Sequence, residues 1–561
     1  MTPPPPTVAD AVGETLAAHG VDTVFGLLGS GNLVVTTALV ARGARYVAAR
    51  HEGGAVCMAD GWARVTGRVG VCSVHQGPGL TNTLTGLAEA AKSRTPLLVL
   101  AADTPAAALR SNFRIDQHDL VASVGAAAER IHAPQTARAD AARALRRAEV
   151  ERRPVVLMLP IDVQAAPAAP GEPPPAEAVP AAPAPADAAI GAAAALLMNA
   201  ERPVLVGGRG AVVSGAGPAI EALAERTGAL LATSAVAHGL FAGSAWSLRI
   251  SGGFATPLAA EVLAQADAIV SFGATLNHWT TRHGALIAED AKVVAVDVDP
   301  AQLGAHVGPD VAIVGDAAAT AEALAAAVPA AEARSADEHG VDAGDAGHGW
   351  RTAAMRARVA AGRWRDVPYA PGATPDTVDP RALSVALEDL LPPDRIVVVD
   401  SGHLTGWPAM FLTVPDARSW LFCNGFQAVG LGLGNAIGAA VAAPDRPVVA
   451  AVGDGGLFLA LAELETAARF GARLLVLVYD DEAYGAEVHH FAPQGRDVSC
   501  ARFPPVDVAG LARAAGCAAL TVRSVDDLAP VADWRAGPLV VDAKVDPTVC
   551  ADWLAEAFRG G

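Results

Sequence analysis

Short apolar runs recur along the chain, each bounded by Gly, Pro or Asp, and stretches with helical spacing of apolar residues lie between them. Runs of this length predict buried strands. Strands that alternate with helices are typical of parallel sheets. We therefore expect an α/β protein built from doubly wound parallel sheets. The clearest strand predictions are Val21–Leu28, Val69–Val74, Pro96–Ala101, Pro154–Pro160, the run that starts at Pro203, Val293–Pro300, Val311–Asp316, Val448–Val452 and Leu474–Tyr479.

The α/β pattern falls into three segments, which we place at residues 7–165, 188–330 and 379–550. An alanine- and proline-rich stretch, Ile161–Ala186, cannot build a core and is predicted to be a linker. Residues 331–378 are polar and rich in glycine, and we expect a second linker with one helix near Trp350–Arg365. The sequence thus predicts three domains.

Composition excludes several classes of protein. The net charge of −18 argues against nucleic acid or an anionic membrane as a partner. Six scattered cysteines without a CxxC pair are typical of reduced thiols rather than a disulfide framework or a zinc site. We find no signal peptide in the N-terminal MTPPPP and no transmembrane run, so we expect a cytoplasmic protein.

The stretch Pro447–Glu487 is the most informative part of the chain. A buried strand leads into the turn Gly453-Asp454-Gly455-Gly456 and then into one predicted helix, which ends at Gly471. The apolar face of this helix is expected to carry Leu457, Leu461, Leu464 and Ala468, and its polar face Glu463, Glu465 and Arg469. A second strand follows and ends at Asp480-Asp481.

Asp454 and Asp481 both fall at the carboxyl edge of the predicted sheet, where ligands of parallel sheets bind. A glycine turn lets backbone N–H groups approach a phosphate, and carboxylates hold a divalent cation that bridges to phosphate oxygens. The pattern favours a metal-bound diphosphate. The alternative is an ordinary turn and a solvated strand end.

Taken together, GDGG, the spacing of 27 positions (481 − 454) and Ala483-Tyr484-Gly485 resemble the thiamine-diphosphate motif of the acetolactate synthase and benzoylformate decarboxylase family. The resemblance implies that Asp454, Asp481 and the carbonyl of Ala483 bind Mg²⁺. The family usually has Asn-Asn where this chain has Asp480-Asp481, so the chain carries additional negative charge there.

The first segment resembles the same family at Ala49–Arg64, which contains Arg50-His51-Glu52. The resemblance implies that Glu52 is the acid that activates the cofactor through its aminopyrimidine ring. Burial would help by raising the pKa of such an acid. The structural alternative is a surface glutamate that begins a helix.

The resemblance also implies further site residues. The turn His75-Gln76-Gly77-Pro78-Gly79 and the loop that contains Ser30 are expected near the substrate, and His489 and His490 are candidate proton shuttles. For each of these the alternative is an ordinary turn or a partly exposed helix face. The cofactor contacts implied are Gly402, His403, Gln427, Val429, Gly453, Gly455, Gly456, Tyr484 and Gly485, with Val429 in place of a larger apolar residue that shapes the cofactor.

The family resemblance implies a thiamine-diphosphate- and Mg²⁺-dependent enzyme that decarboxylates a 2-keto acid and passes the product to an aldehyde or ketone acceptor, as acetolactate synthases do. A simple decarboxylase or a 2-hydroxyacyl lyase is the nearest alternative, because only Asp119 in Asn112–Asp119 matches the acetolactate synthase pattern.

Two cofactor questions stay open at this point. The central segment resembles a domain that binds FAD in some members of the family. A nicotinamide-binding enzyme is disfavoured, because no GxGxxG with a later acid follows a strand.

Glu52 and Asp454 lie in different domains, so the resemblance implies a homodimer or homotetramer with the site between subunits. A catalytically silent cofactor-binding homologue is the alternative of another class.

Overall fold

The computed structural model describes residues 5–329, 349–372, 374 and 376–559. Its strands form three separate sheets of six strands each, and every strand pair within them is parallel. The predicted α/β class with three doubly wound sheets is therefore confirmed. The sheets lie within the three predicted segments, whose limits we keep as a proposal.

The first sheet has the strand order β2-β1-β3-β4-β6-β5. Its strands are β1 Thr23–Gly26, β2 Arg45–Ala48, β3 Gly70–Val74, β4 Leu97–Asp103, β5 Ala127–Arg130 and β6 Pro154–Pro160. The helices of this segment are Val8–Ala18, Leu33–Val40, Glu52–Thr66, Pro78–Thr81, Leu84–Lys92, Gln117–Ser123, Ala137–Glu151 and Ile161–Ala165.

The second sheet has the order β12-β11-β10-β7-β8-β9. Its strands are β7 Pro203–Gly207, β8 Leu230–Thr233, β9 Ser247–Ile250, β10 Ala268–Phe272, β11 Lys292–Asp297 and β12 Val311–Val314. The helices are Asp187–Asn199, Arg209–Ser214, Gly217–Thr227, Pro257–Leu263, His278–Thr281, Ala317–Ala327 and Ala353–Ala361.

The third sheet has the order β14-β13-β15-β16-β18-β17. Its strands are β13 Ile396–Val399, β14 Trp420–Phe422, β15 Val448–Gly453, β16 Leu474–Asp480, β17 Ala518–Val522 and β18 Leu539–Lys544. The helices are Pro380–Leu390, Gly406–Phe411, Gly432–Ala442, Asp454–Leu459, Glu463–Phe470, Gly485–Phe491, Val508–Ala514 and Trp553–Ala557.

The first and third sheets reverse their strand order at equivalent places, between β1 and β3 and between β13 and β15. Loops that leave neighbouring strands in opposite directions open a crevice at such a switch point, and ligands of parallel sheets bind there. Ser30 and His75 follow β1 and β3, while Ser401–His403 and Asp454 follow β13 and β15. The topology therefore places the predicted site residues at two switch points.

Helix Glu52–Thr66 of the first segment packs directly on helix Gly432–Ala442 of the third. A Cβ at Gly61 would lie 2.0 Å from the carbonyl oxygen of Asn435, and a Cβ at Gly438 would lie 1.9 Å from that of Met58. Only glycine permits backbones to approach this closely. Met58 and Ile437 belong to one buried apolar cluster that spans both segments.

The structure corrects the predicted helix after the GDGG turn. It is two helices, Asp454–Leu459 and Glu463–Phe470, separated at residues 460–462, and Gly471 ends the second in a left-handed conformation with φ of 62°. Glu463, which we expected on the polar face, is buried. The break turns the start of the second helix toward the first segment, where Glu463 finds backbone donors.

The two predicted linkers have different outcomes. In the first, Ile161–Ala186, the expectation is wrong at the start, where Ile161–Ala165 is a helix, whereas residues 166–186 contain no helix and no sheet strand, as expected. In the second, the predicted helix is Ala353–Ala361, whereas residues 331–348 lie outside the described part of the chain. Of the helices that the structure describes, none combines the length and apolar character needed to span a bilayer.

Candidate functional site

The third segment opens toward the central one in a cleft of about 1050 Å³. All of the expected metal and cofactor residues of the third segment line this cleft. They are Gly402, His403, Gln427, Val429, Gly453, Asp454, Gly455, Gly456, Asp481, Ala483, Tyr484 and Gly485. The structure thus brings together residues that are spread over more than 80 positions of the chain, 402 to 485.

Asp454 and Asp481 form the acidic end of the cleft. Burial, reinforced by the charges of Asp481 and Asp480, raises the pKa of Asp454 to about 8. Burial likewise raises the pKa of Asp481 to about 7, and the opposing effect of Arg502 is smaller. Two buried carboxylates that repel each other fit a divalent cation, which would remove the repulsion.

The described residues contain no group of three or more His, Cys, Asp or Glu side chains arranged to bind a metal. Protein ligands at the acidic end would therefore be two carboxylates, Asp454 and Asp481, with the Ala483 carbonyl as a third. Hard cations such as Mg²⁺ keep several oxygen ligands from water or phosphate. The residues present fit a cation that is shared with a diphosphate.

Asp480 lies behind the acidic end of the cleft and is paired with a cation. Its carboxylate is buried and contacts the ammonium group of Lys544, which lies opposite it on β18. Lys544 also lies 3.2 Å from Asp542. The extra negative charge that we expected beside the cofactor is therefore offset only in part, and Asp480 still helps to raise the pKa of Asp454.

Small residues shape the floor of the cleft. A Cβ at Gly455 would lie 2.7 Å from the ring of Tyr484, and a Cβ at Gly456 would lie 2.4 Å from Asp400. Gly402 has φ of 120°, a conformation that residues with a side chain rarely adopt. The missing Cβ atoms of Gly455 and Gly456 therefore make room for the side chains of Tyr484 and Asp400 beside the cleft.

Asp400 is a site residue that the sequence reasoning missed. It is fully buried and accepts hydrogen bonds from the backbone N–H groups of Ser401, Gly430 and Leu431. These bonds hold the turn that presents Val429 to the cleft. The signal in the sequence was an acid directly after the apolar run of β13, in the same position as Asp481 after β16.

His403 is held in one orientation at the cleft wall. Its Nε2 accepts a hydrogen bond of 3.2 Å from the backbone N–H of Ala551. Burial lowers the pKa of His403 to about 3, and neighbouring His489 adds to this effect. The ring is therefore neutral, with its proton on Nδ1, which faces Gly485.

The two predicted proton shuttles lie in different surroundings. His489 packs beside His403, with 4.5 Å between ring centroids. The ring of His490 stacks on Phe558 at 3.8 Å and contacts the amide of Gln494. Neither lines the cleft, so the wall after Tyr484 presents Ala486 and Glu487 instead.

The first segment holds the second group of expected residues. Glu52 is buried in the first turn of its helix, and its Oε2 accepts a hydrogen bond of 2.9 Å from Asn82. A Cβ at Gly79 would lie 3.3 Å from Glu52 Oε1 and 3.2 Å from the Cβ of His75. The GPG turn therefore lies between Glu52 and His75.

Hydrogen bonds fix the tautomer of His75. Its Nδ1 lies 2.9 Å from the carbonyl oxygen of Gln76 and must donate to it. Nε2 is then an acceptor, and the hydroxyl of Ser30 donates to it across 3.3 Å. Ser30 and His75 thus form a hydrogen-bonded pair at the switch point of the first sheet.

Gln76 and the substrate loop pack around this pair. The side chain of Gln76 is buried against Gly31, and its Oε1 has no hydrogen-bond partner within the described residues. Gln117 holds the turn by accepting a bond from the N–H of Gly77, and Phe113 packs on His75 with ring centroids 5.0 Å apart. Asp119, the residue that matched the family pattern, is exposed beside His118.

The two groups do not share a cavity within one chain. Ser30, Glu52, His75 and Gln76 are absent from the lining of the cleft that contains Asp454. The segments that carry them meet elsewhere, where Glu463 accepts hydrogen bonds from the N–H groups of Arg50 and His51. Within the described residues, the cleft that contains Asp454 does not extend to Glu52.

The glycine turn of the central segment is filled by the chain itself. A Cβ at Gly208 would lie 2.2 Å from the carbonyl oxygen of Gly273, and a Cβ at Gly210 would lie 2.8 Å from its Cα. These backbones pack against each other, so neither glycine of the turn after β7 has room for a side chain.

Comparison with known families agrees with this geometry. Sequence models of thiamine pyrophosphate enzymes match the chain in three places: the N-terminal TPP binding domain at residues 6–123, the central domain at 190–324 and the C-terminal TPP binding domain at 400–543.

Several curated proteins are similar over most of their length. A probable 2-ketoarginine decarboxylase of Pseudomonas aeruginosa is 34% identical over 545 residues, which cover 95% of this chain and 92% of that protein. The acetolactate synthase large subunit of Parasynechococcus marenigrum is 31% identical, with 85% and 76% covered. A sulfoacetaldehyde acetyltransferase of Rhodobacter capsulatus is 30% identical, with 99% and 96% covered.

A solved structure shows the same fold. The thiamine-diphosphate-dependent 4-hydroxybenzoylformate decarboxylase of Rhodococcus jostii superposes with a TM-score of 0.79 at 22% identity, covering 96% of this chain and 99% of that one. The three matched domains and the relatives together show that this chain belongs to the thiamine-diphosphate-dependent enzymes, in the family of 2-keto acid decarboxylases and carboligases.

Proposed function

We propose that this chain decarboxylates a 2-keto acid with thiamine diphosphate and Mg²⁺. The observation that carries the proposal is the placement of Glu52, which is buried, held at one oxygen by Asn82 and free at the other beside Gly79. A carboxyl group held in this way suits proton exchange with a ring nitrogen of the cofactor. When bound, thiamine diphosphate supplies the nucleophilic carbon and the electron sink for loss of CO₂.

The third segment would hold the charged end of the cofactor. Asp454, Asp481 and the Ala483 carbonyl would bind Mg²⁺, and the neutral ring of His403 would donate from Nδ1 to a phosphate oxygen or its bound water. Gly402, Gly453, Gly455 and Gly456 leave room for the diphosphate. Gln427, Val429, Tyr484 and Gly485 complete the wall of this binding region.

The residues of the first segment would act at the reacting end. Ser30 and His75 form a hydrogen-bonded pair through which a proton can pass, because the Ser30 hydroxyl donates to the unprotonated Nε2 of His75. Gln76 offers a buried oxygen without a partner as an acceptor. His489 supports His403 by packing on it. The ring of His490 stacks on Phe558, and its role as a proton shuttle remains a proposal.

The assembly would be a homodimer or homotetramer. Glu52 and Asp454 do not line one cavity in a single chain, so a cofactor that contacts both must lie between two subunits. We also keep a cytoplasmic location as a proposal, on the sequence evidence above. FAD binding by the central segment also stays a proposal, and a flavin absorbance band in the purified protein is the measurement that would show it.

The fate of the decarboxylated product separates two forms of the proposal. Simple protonation would release an aldehyde, and transfer to an acceptor aldehyde or ketone would give a carboligation product. The relatives named acetolactate synthase and sulfoacetaldehyde acetyltransferase favour transfer, whereas the one named 2-ketoarginine decarboxylase favours release. The exposed carboxylate of Glu487 on the cleft wall suits a keto acid with a cationic tail.

The test is a panel of 2-keto acids supplied with thiamine diphosphate and Mg²⁺. Pyruvate, 2-ketoarginine and benzoylformate represent small, cationic and aromatic side chains, and both CO₂ and the organic product are measured. Release of CO₂ with aldehyde identifies a decarboxylase, and release with a 2-hydroxyketone identifies a carboligase. Tight cofactor binding without CO₂ from a broad panel would instead favour a catalytically silent homologue.

A further inference from the structure

The loop Asp481–Gly485 supplies two of the three proposed Mg²⁺ ligands, and its backbone is strained. Glu482 has φ of 55°, in the left-handed region, which residues with a side chain rarely adopt. This conformation puts the side chain of Asp481 and the carbonyl of Ala483 on the same wall of the cleft. Something outside the loop must therefore hold it.

One support comes from the neighbouring segment. The N–H of Phe503 donates to the carbonyl of Glu482 at 2.8 Å, and the N–H of Tyr484 donates to that of Ala501 at 2.9 Å. These bonds fix the outer side of the loop. The inner side, which faces the sheet, is held by a different group.

That group is the carboxylate of Asp480. Its Oδ1 accepts a hydrogen bond of 3.2 Å from the N–H of Glu482, and its Oδ2 binds the ammonium group of Lys544. Lys544 also donates to the carbonyl of Val506 at 3.0 Å and lies 3.2 Å from Asp542. The ammonium group thus donates two hydrogen bonds, to Asp480 and Val506, and its contact with Asp542 is an ion pair without hydrogen-bond geometry. These three contacts fix the side chain.

We propose that Lys544 is a positioning residue for the divalent-cation loop and that it acts through Asp480. The ammonium group orients the carboxylate, and the carboxylate holds Glu482 in its strained conformation. The inference rests on the proposed function, because it assumes that Asp481 and Ala483 bind the cation. It also explains how the chain tolerates an acid where the family usually has asparagine, since Lys544 compensates the charge.

A simple electrostatic account makes the opposite prediction. Lys544 is a positive charge near a cation site, so if only its charge mattered, removing it would strengthen cation binding. In the positioning account, Lys544→Met leaves Asp480 uncompensated and the loop loses its support. Outer-sphere partners of this kind change metal affinity by about 10–100-fold.

The test measures Mn²⁺ binding by electron paramagnetic resonance, with thiamine diphosphate present, in the wild type and in Lys544→Met. We expect Mn²⁺ to bind the variant about 10–100-fold more weakly and the double variant Lys544→Met/Asp480→Asn to recover most of the affinity. Affinity in Lys544→Met equal to or above that of the wild type would overturn the proposal. So would a double variant no better than the single one.

A second pair of variants covers the case in which Lys544→Met does not fold. Asp480→Asn and Asp480→Leu both remove the charge, but only Asn keeps an acceptor for the N–H of Glu482. We expect the Leu variant to bind Mn²⁺ at least about 10-fold more weakly than the Asn variant. Equal affinities would contradict the proposal. A wild type that binds no Mn²⁺ would instead refute the proposed function itself.

Discussion

The carboxylate of Glu463 accepts a hydrogen bond of 2.9 Å from the backbone N–H of His51, the residue directly before Glu52. It also accepts from the N–H of Arg50, and its other oxygen accepts from the hydroxyl of Thr466. An acid of the third segment therefore fixes the start of the helix that carries the proposed catalytic acid of the first.

Replacing Glu463 by Ala should lower both stability and turnover. The N–H groups of Arg50 and His51 would lose their acceptor, and each lost hydrogen bond costs about 0.5–1.5 kcal/mol. We expect a lower midpoint in urea and a decrease in kcat through the displaced Glu52. Glu465→Ala is the matched control on the same helix, because the ion pairs of Glu465, with Arg50 and Arg469, are partly exposed to solvent. Equal behaviour of the two variants would show that Glu463 does not support the helix.

The buried side chain of Arg64 joins the same two segments. Its guanidinium group lies between Asp60 and Glu89, and Glu89 accepts the N–H groups of Gly425 and Phe426. Arg64→Met would leave the two buried carboxylates without their cation, which costs about 3–5 kcal/mol. The measurement is the free energy of unfolding in urea.

Arg68→Met is the control for Arg64, since its pair with Asp22 is about half exposed and such pairs contribute little. A stability loss in Arg64→Met no larger than that of the control would contradict a structural role for the buried cluster.

The free energy of unfolding should decrease in acid because of His238. Its Nε2 lies 3.1 Å from the carbonyl oxygen of Leu412, and burial lowers its pKa to about 4. In the unfolded chain the pKa is about 6.5. Between these two values the unfolded chain binds a proton that the folded chain does not, so stability is lost as the pH falls through this window, by on the order of 3 kcal/mol.

The test follows the urea midpoint from pH 7 to pH 4 in the wild type and in His238→Gln. Gln can still donate to the carbonyl of Leu412 but does not titrate, so we expect a shallower loss. His118→Gln, at an exposed histidine, should keep the wild-type slope. A wild-type slope in His238→Gln would refute the assignment.

Asp481→Asn tests whether this acid serves only as a cation ligand. The amide oxygen remains a ligand, and the repulsion that helps to raise the pKa of Asp454 is removed. We expect the cofactor-free variant to melt at a higher temperature and to retain Mn²⁺ and thiamine diphosphate. Complete loss of cofactor binding would mean that the charge of Asp481 has a further role.

Much of the fold was predictable because buried parallel strands are continuous apolar runs. The strand predictions agree with the structure to within three residues at each end. The break at residues 460–462 was not predictable, because Leu457 and Leu464 keep helical spacing across it. What decides it is tertiary: Glu463 gains the N–H groups of Arg50 and His51.

The candidate site also contains residues that could be predicted from the sequence and residues that could not. Residues within a motif, such as Asp454 and Asp481, were predicted from their positions at two strand ends and from the family resemblance, and both line the cleft. Asp400 was missed because its partners, the N–H groups of Gly430 and Leu431, lie 30 positions away and have no side-chain signature. The pairing of Asp480 with Lys544 could not be predicted, because it requires β16 and β18 to be neighbours in the sheet.

The most direct test of the account is the rate of CO₂ release by Glu52→Gln on the best keto acid of the panel. Gln keeps the shape of Glu52 and its contact with Asn82 but cannot exchange a proton. We predict that the variant binds thiamine diphosphate and Mg²⁺ and folds like the wild type, while kcat falls by about 100-fold or more. Equal rates for the two proteins would contradict the central claim.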